Sequence, residues 1–154
     1  TTIAALRITD GEAFIAHVGD SRVYLLRDGS LILLTSDHSW VNEQVQKNLI
    51  TAEEARNHRY RNVITRALGN RLDVEIDTST TPLQPGDLFL LTTDGLTGVL
   101  RDEQIAEVLT TRKDLRSCAN HLVGLANTAG GPDNITVLLV ECLEDGPAQD
   151  APQR

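Results

Sequence analysis

The stretch Leu88-Phe89-Leu90-Leu91-Thr92-Thr93-Asp94-Gly95-Leu96 constrains the fold more than any other. Four consecutive apolar residues, preceded by Pro85-Gly86-Asp87, describe a short strand buried on both faces. The run stops at an acid followed by glycine. A carboxylate at the end of a buried strand is held by a stiff backbone, and the glycine permits a sharp turn or a close approach to the main chain. Asp20 follows the apolar run Phe14-Ile15-Ala16-His17-Val18-Gly19. Asp133 follows Gly130-Gly131-Pro132 and precedes Asn134-Ile135-Thr136-Val137-Leu138-Leu139-Val140. These three turns are expected to converge on a divalent-cation site, with the rest of the chain as scaffold.

A chain of 154 residues, 40% hydrophobic, suffices for one domain that buries roughly 70% of the surface its unfolded form exposes. Aromatic residues are scarce, so the core must be built from Leu, Val, Ile and Ala. A net charge of −8 argues against nucleic acid or an anionic membrane as partner, because phosphate contacts need a basic footprint. Cys118 and Cys142 are too few and too far apart for a disulfide framework or a paired-cysteine zinc site; they read as buried thiols in a reducing compartment. No apolar run reaches the ~18 residues of a membrane span and no signal peptide is recognisable, which makes the cytoplasm the expected location. The chain lacks methionine and opens inside a strand pattern, as a piece of a longer protein would.

Along the chain, alternation over Thr2–Ile8 and the segments 13–18, 23–27 and 31–34 describe four strands with Asp10-Gly11 and Asp28-Gly29 turns, an expected antiparallel meander. Ser39 is a candidate N-cap for a helix over Trp40–Lys47. Thr51-Ala52-Glu53-Glu54 has the form of a capping box for a short helix ending near His58. Residues 37–72 thus form a polar insertion between sheet segments. Arg56, Arg59, Arg61, Arg66 and Arg71 make it locally basic, either as a solvated face or as a flap that meets an anionic substrate. Further strands are expected at Val74–Thr78 and Asn134–Cys142, and helices at Glu103–Thr111, capped by Asp102, and at Leu115–Thr128, stopped by Gly130-Gly131. Residues 143–154 read as a disordered acidic tail.

Oxygen-only clusters suit Mg²⁺ or Mn²⁺. Carboxylates about 4 Å apart at an effective dielectric near ~20 repel by roughly 4 kcal/mol per pair. Either a cation neutralises Asp20, Asp94 and Asp133 or they do not converge, and spacing alone does not choose. The histidines add little: His17 alternates within a strand as a core or edge side chain. Ser36-Asp37-His38 cannot form a catalytic triad from adjacent positions. Neither a P-loop nor GxGxxG is present.

Five segments, in order, resemble the motifs of the type-2C metal-dependent serine/threonine protein phosphatases. They are Val18-Gly19-Asp20-Ser21-Arg22-Val23-Tyr24; Leu34-Thr35-Ser36-Asp37-His38-Ser39; Thr65-Arg66-Ala67-Leu68-Gly69; Pro85–Leu96; and Gly131-Pro132-Asp133-Asn134-Ile135-Thr136. The resemblance covers residues 1–142 as the C-terminal portion of a catalytic domain, with 37–72 in the place of the family's variable flap. It implies an α+β fold, a four-layer αββα sandwich of two antiparallel sheets flanked by helices and here incomplete. It also implies two core Mg²⁺ or Mn²⁺ ions, with a third in many members, and hydrolysis of phosphoserine or phosphothreonine on a phosphorylated protein substrate by a metal-activated water. Carried over by position, Asp94 and Asp133 ligate one core ion, and Asp20 with Asp94 the third. The family's phosphate-binding arginine, first acidic ligands and metal-bridging Asp-Gly precede this region and have no counterpart in the chain, so the missing N-terminal part of the same domain is an implied partner. The alternative is a non-catalytic fragment or pseudophosphatase serving as a binding module. The upstream sequence separates the two.

Overall fold

A computed structural model describes residues 1–71, 73–111 and 113–143; apart from Leu143, the expected tail lies outside the described residues. Two hairpins open the chain: β1 (Ile3–Thr9) with β2 (Glu12–Val18), and β3 (Arg22–Arg27) with β4 (Ser30–Leu33). Both turns have the left-handed backbone their sequence demands, with φ of 52° and 77° at Asp10-Gly11 and 51° and 75° at Asp28-Gly29. The four strands do not form one meander, however. β2 pairs with β1 and β5 (Asp77–Pro82), whereas β3 pairs with β4 and β6 (Leu88–Thr92), and β6 with β7 (Val137–Glu141). The chain changes sheets at Gly19-Asp20-Ser21, where Gly19 has φ 117°. Every residue of β6 is buried, and β3 is buried at its four central positions. Strands of this kind belong in the middle of a stack, not at the end of a one-sided meander.

Alternation within β3 and β6 divides the core in two. Tyr24, Leu26, Leu88 and Leu90 face the helices α3 (Asp94–Thr97), α4 (Asp102–Thr110) and α5 (Leu115–Thr128), meeting Leu96, Ile105, Leu109 and Leu122. Val23, Leu25, Phe89 and Leu91 face the other sheet and meet Ala13 and Ile15. Burying Leu88, Phe89 and Leu90 completely contributes about 1.5–3 kcal/mol each. The fold is therefore α+β, two antiparallel sheets with flanking helices. The described residues supply three of the four expected layers. The outer face of the β1-β2-β5 sheet carries no helix among them, and Ile3 and Phe14 are exposed there.

Three expected elements shift. The strand placed at 74–78 runs instead over Asp77–Pro82 in register with β2, because Arg66 draws Glu75 and Asp77 into ion pairs and Ile76 is left exposed. The last strand begins at Val137 rather than Asn134, since the residues before it bond to Thr92 and Thr93. Asp102 is the first residue of α4 and not its cap; Arg101 precedes it, and its N–H donates to Gln104 Oε1 at 2.9 Å. The insertion holds α1 (Trp40–Gln46), capped by Ser39, and α2 (Ala52–Arg56), with both halves of the Thr51–Glu54 capping box formed. Trp40 stacks on His58 and meets Tyr60 edge-on, which ties the second half of the insertion to its first helix. No helix among the described residues is long and apolar enough to cross a membrane.

Candidate metal centre

Asp20 and Asp133, on loops, and Asp94, the first residue of α3, line one cavity of about 370 Å³. Asp94 and Asp133 are brought together by two threonine hydroxyls. Thr92 Oγ1 donates to the Thr136 carbonyl at 2.8 Å. Thr93 Oγ1 donates to the Asn134 carbonyl at 3.0 Å and accepts the Thr136 N–H at 3.0 Å. The end of β6 is thereby stitched to the loop that carries Asp133, whose Oδ1 accepts the Asn134 N–H at 2.7 Å. Gly95 serves the same closeness: its φ is ordinary, and a Cβ there would run into the Asn134 carbonyl. The glycine after Asp94 is needed for approach, not for turning.

Asp20 is held by two histidines acting on Gly19. The Gly19 N–H donates to His38 Nδ1 at 3.0 Å, and the Gly19 carbonyl accepts from His17 Nε2 at 2.9 Å and from the His38 N–H at 2.8 Å. An amide N–H only donates, so neutral His38 carries its proton on Nε2, which faces Asp77 Oδ2 at 3.1 Å. Burial keeps His17 below the ordinary imidazole range, while the hydrogen bond from His38 holds Asp77 below the ordinary carboxylate range. His17, His38 and Asp77 form the one trio of His, Cys, Asp or Glu donors among the described residues whose ligand atoms lie within 4.8 Å of one another. Its hydrogen bonds account for it. A metal on His38 Nε2 would push the proton to Nδ1, against the Gly19 N–H. The trio is a brace beneath Asp20.

Asp20, Asp94 and Asp133 are set wider apart than that trio. Burial, and then the charge of Asp94, raise the Asp20 carboxyl above its usual range; burial, and then the charge of Asp133, do the same to Asp94. Asp94 is the member that feels a neighbour and is felt by one. None of the ion pairs among the described residues includes any of the three. Arg22 lines the same cavity but is committed elsewhere: its Nε and NH2 grip Asp37 at 2.8 and 2.7 Å, and its NH1 donates to the Tyr24 hydroxyl at 2.9 Å. An all-oxygen set, half-buried at Asp20 and Asp94 and exposed at Asp133, with unneutralised charge fits a hard divalent cation.

Of the insertion's arginines, Arg56 and Arg61 line this cavity. Arg66 turns away to Asp77 and Glu75, and Arg59 lies over the Tyr60 ring. Thr93, His17 and His38, which position the acids, were not singled out by sequence reasoning. Thr93 and His17 stand within a few residues of a glycine-flanked acid, whereas His38 lies 19 residues from the Gly19 it holds and carries no such local signal.

Residues 1–135 match the family model Protein phosphatase 2C. Protein phosphatase PhpP of Streptococcus pneumoniae is 42% identical over 145 residues, which is 94% of this chain and 59% of that protein. The structure of the S. agalactiae serine/threonine phosphatase superposes with a TM-score of 0.87 at 45% identity, covering 92% of this chain and 58% of that one. The catalytic domain of the serine/threonine protein phosphatase PstP, solved in complex with two manganese ions, gives a TM-score of 0.84 at 36% identity, covering 93% and 59%. The chain spans less than two thirds of each of these relatives. Its ordered motifs, its two-sheet fold and this matched family model together establish that the chain belongs to the protein phosphatase 2C family.

Proposed function

We propose that the intact protein removes phosphate from phosphoserine or phosphothreonine on protein substrates with Mg²⁺ or Mn²⁺, and that residues 1–142 are the C-terminal portion of its catalytic domain. The observation that carries this reading is the meeting of Asp20, Asp94 and Asp133 in one cavity with no cation among the described residues paired to them. Asp94 and Asp133 would hold a core ion, and Asp20 with Asp94 a further one. Bound there, the ions supply positive charge and lower the pKa of a coordinated water. The chain's own contribution is positional. The Thr93 hydroxyl sets Asp133 beside Asp94, the His38–Gly19 contacts fix the Asp20 loop, and the insertion roofs the cavity with Arg56 and Arg61 facing an anionic substrate. We assign the open face of the β1-β2-β5 sheet, with Ile3 and Phe14 exposed, to packing against the remainder of the domain.

The metal-bridging acid and the phosphate-orienting arginine that the family resemblance implies have no counterpart in this chain. Half of a two-ion clamp cannot align a water with a phosphoryl group. The test is p-nitrophenyl phosphate turnover with and without Mn²⁺, on the 154-residue chain and the full-length protein side by side. The full-length protein should turn over only with the metal, and the shorter chain should bind Mn²⁺ weakly and stay at background. Metal-dependent turnover by the shorter chain would overturn the division of labour. An inactive full-length protein would favour a binding module.

A further inference from the structure

The cavity that holds the three acids continues beneath the insertion, where its walls change character. Val41 and Val45 on α1 and Ala52 and Ala55 on α2 form one side; Leu33, on β4, and Val99, just after α3, form the other. The spacing i, i+4 on α1 and i, i+3 on α2 makes each set a stripe along its helix. Five of the six, all but Val99, belong to neither core layer. Leu33 is 39% exposed. Two helices that turn their apolar stripes onto an open cleft leave it free of this chain's two core layers.

Resting on the phosphatase reading above, we infer that this trough is an apolar subsite that takes the aliphatic side chain of a residue two positions from the phosphorylated serine or threonine. The acids and the apolar walls line one cavity, within reach of a short extended segment, which advances about 7 Å over two residues. In an extended segment, side chains two apart lie on the same face, so a phosphoryl group at the acids directs the second neighbour into the trough. Arg56 and Arg61 also line the cavity. Arg56 stands 4.0 Å from Asp102, and with Arg61 it complements a phosphate-bearing segment. The apolar walls disfavour an acid at the second position, which would lose its hydration without gaining a buried partner.

The experiment uses the full-length protein with Mn²⁺ and phosphothreonine peptides carrying Leu, Gly or Asp at the second position on both sides. The readout is the ratio of kcat/KM between peptides, in which differences in folding and metal loading cancel. The Leu peptide should exceed the Gly and Asp peptides by about tenfold to a hundredfold, the usual worth of one buried aliphatic side chain. Val45→Asp, which puts a charge on one wall, and Ala55→Leu, which fills the trough from the other helix, should each bring the Leu/Gly ratio down toward one. Because the variants lie on separate helices, one misfolded variant does not decide the outcome. A ratio near one in the unmodified protein, an Asp preference, or a Leu preference untouched by both variants would overturn the subsite while Mn²⁺-dependent turnover of p-nitrophenyl phosphate leaves the phosphatase reading standing. Absence of that turnover in the unmodified protein overturns both.

Discussion

Replacing Thr93 by Val removes one hydroxyl and with it two hydrogen bonds, the one donated to the Asn134 carbonyl and the one accepted from the Thr136 N–H, both 3.0 Å. Valine keeps the shape and the β-branch, so the strand end itself is undisturbed. Each bond is worth about 0.5–1.5 kcal/mol net. Asn134 and Thr136 are exposed, so water replaces part of what is lost, and the expected cost is about 1–2 kcal/mol. For a domain of this size that is a fall in Tm of roughly 2–8 °C. The larger effect should be on the metal, because the same hydroxyl sets Asp133 beside Asp94. Groups that orient metal ligands typically govern about ten- to a hundredfold in affinity. Calorimetric Mn²⁺ titration and urea unfolding of the full-length protein, its Thr93→Val variant and its Thr93→Ser variant separate the two effects, since serine keeps the oxygen. Val should lose both stability and Mn²⁺ affinity, and Ser should recover most of each. Unchanged Mn²⁺ affinity in Thr93→Val, with the expected loss of stability, would show that the stitch serves only the fold.

Three further outcomes follow from the same contacts. Asp94 has its folded pKa raised by burial and by Asp133, so its stabilising contribution is full below the unfolded carboxyl pKa of about 3.9 and is lost as pH rises through the folded value. Without metal, Asp94→Asn should therefore gain stability relative to the unmodified protein as pH is raised from ~4 to ~7 in urea titrations; equal curves would show that the acids do not strain one another. Arg27 grips Asp87 through Nε and NH2 at 2.8 and 2.7 Å, and Asp87 is 1% exposed. Arg27→Met strands that charge with only the Gln84 N–H and should cost about 2–4 kcal/mol, less than a fully buried pair because Arg27 itself is partly exposed. Val41 is the only buried residue of α1, and α2 has none, so amides over residues 40–62 should exchange faster than those of Leu88–Thr92; equal protection would refute a weakly held roof.

What the sequence disclosed was local. The two Asp-Gly turns, the Thr51–Glu54 capping box, the Leu115–Thr128 helix and the doubly buried strand at Leu88 are each written in a few adjacent residues, and each forms as its chemistry requires. Which strands become neighbours is not a local property. Val18-Gly19-Asp20-Ser21 reads equally well as a turn within one sheet or a crossing between two, and only the demand of Val23–Leu26 for cover on both faces decides it. The acids were legible because glycine and an apolar run flank each of them. Their supports were not, because a threonine hydroxyl that bonds across more than 40 residues, or a histidine that braces a loop 19 residues away, has no signature in its own neighbourhood. Arg66 shows a choice that the sequence left open. Its charge suited either a solvated face or a substrate contact, and its partners are the chain's own Glu75 and Asp77.

The central claim is that Asp94 is the shared carboxylate of a working metal centre, and one comparison tests it most directly. Mn²⁺-dependent turnover of p-nitrophenyl phosphate should be measured on the full-length protein and its Asp94→Ala variant, with circular dichroism to verify that both are folded. Turnover should rise with Mn²⁺ in the unmodified protein and be abolished in the folded variant at every Mn²⁺ concentration. A folded Asp94→Ala protein that keeps its Mn²⁺-dependent turnover would contradict the account.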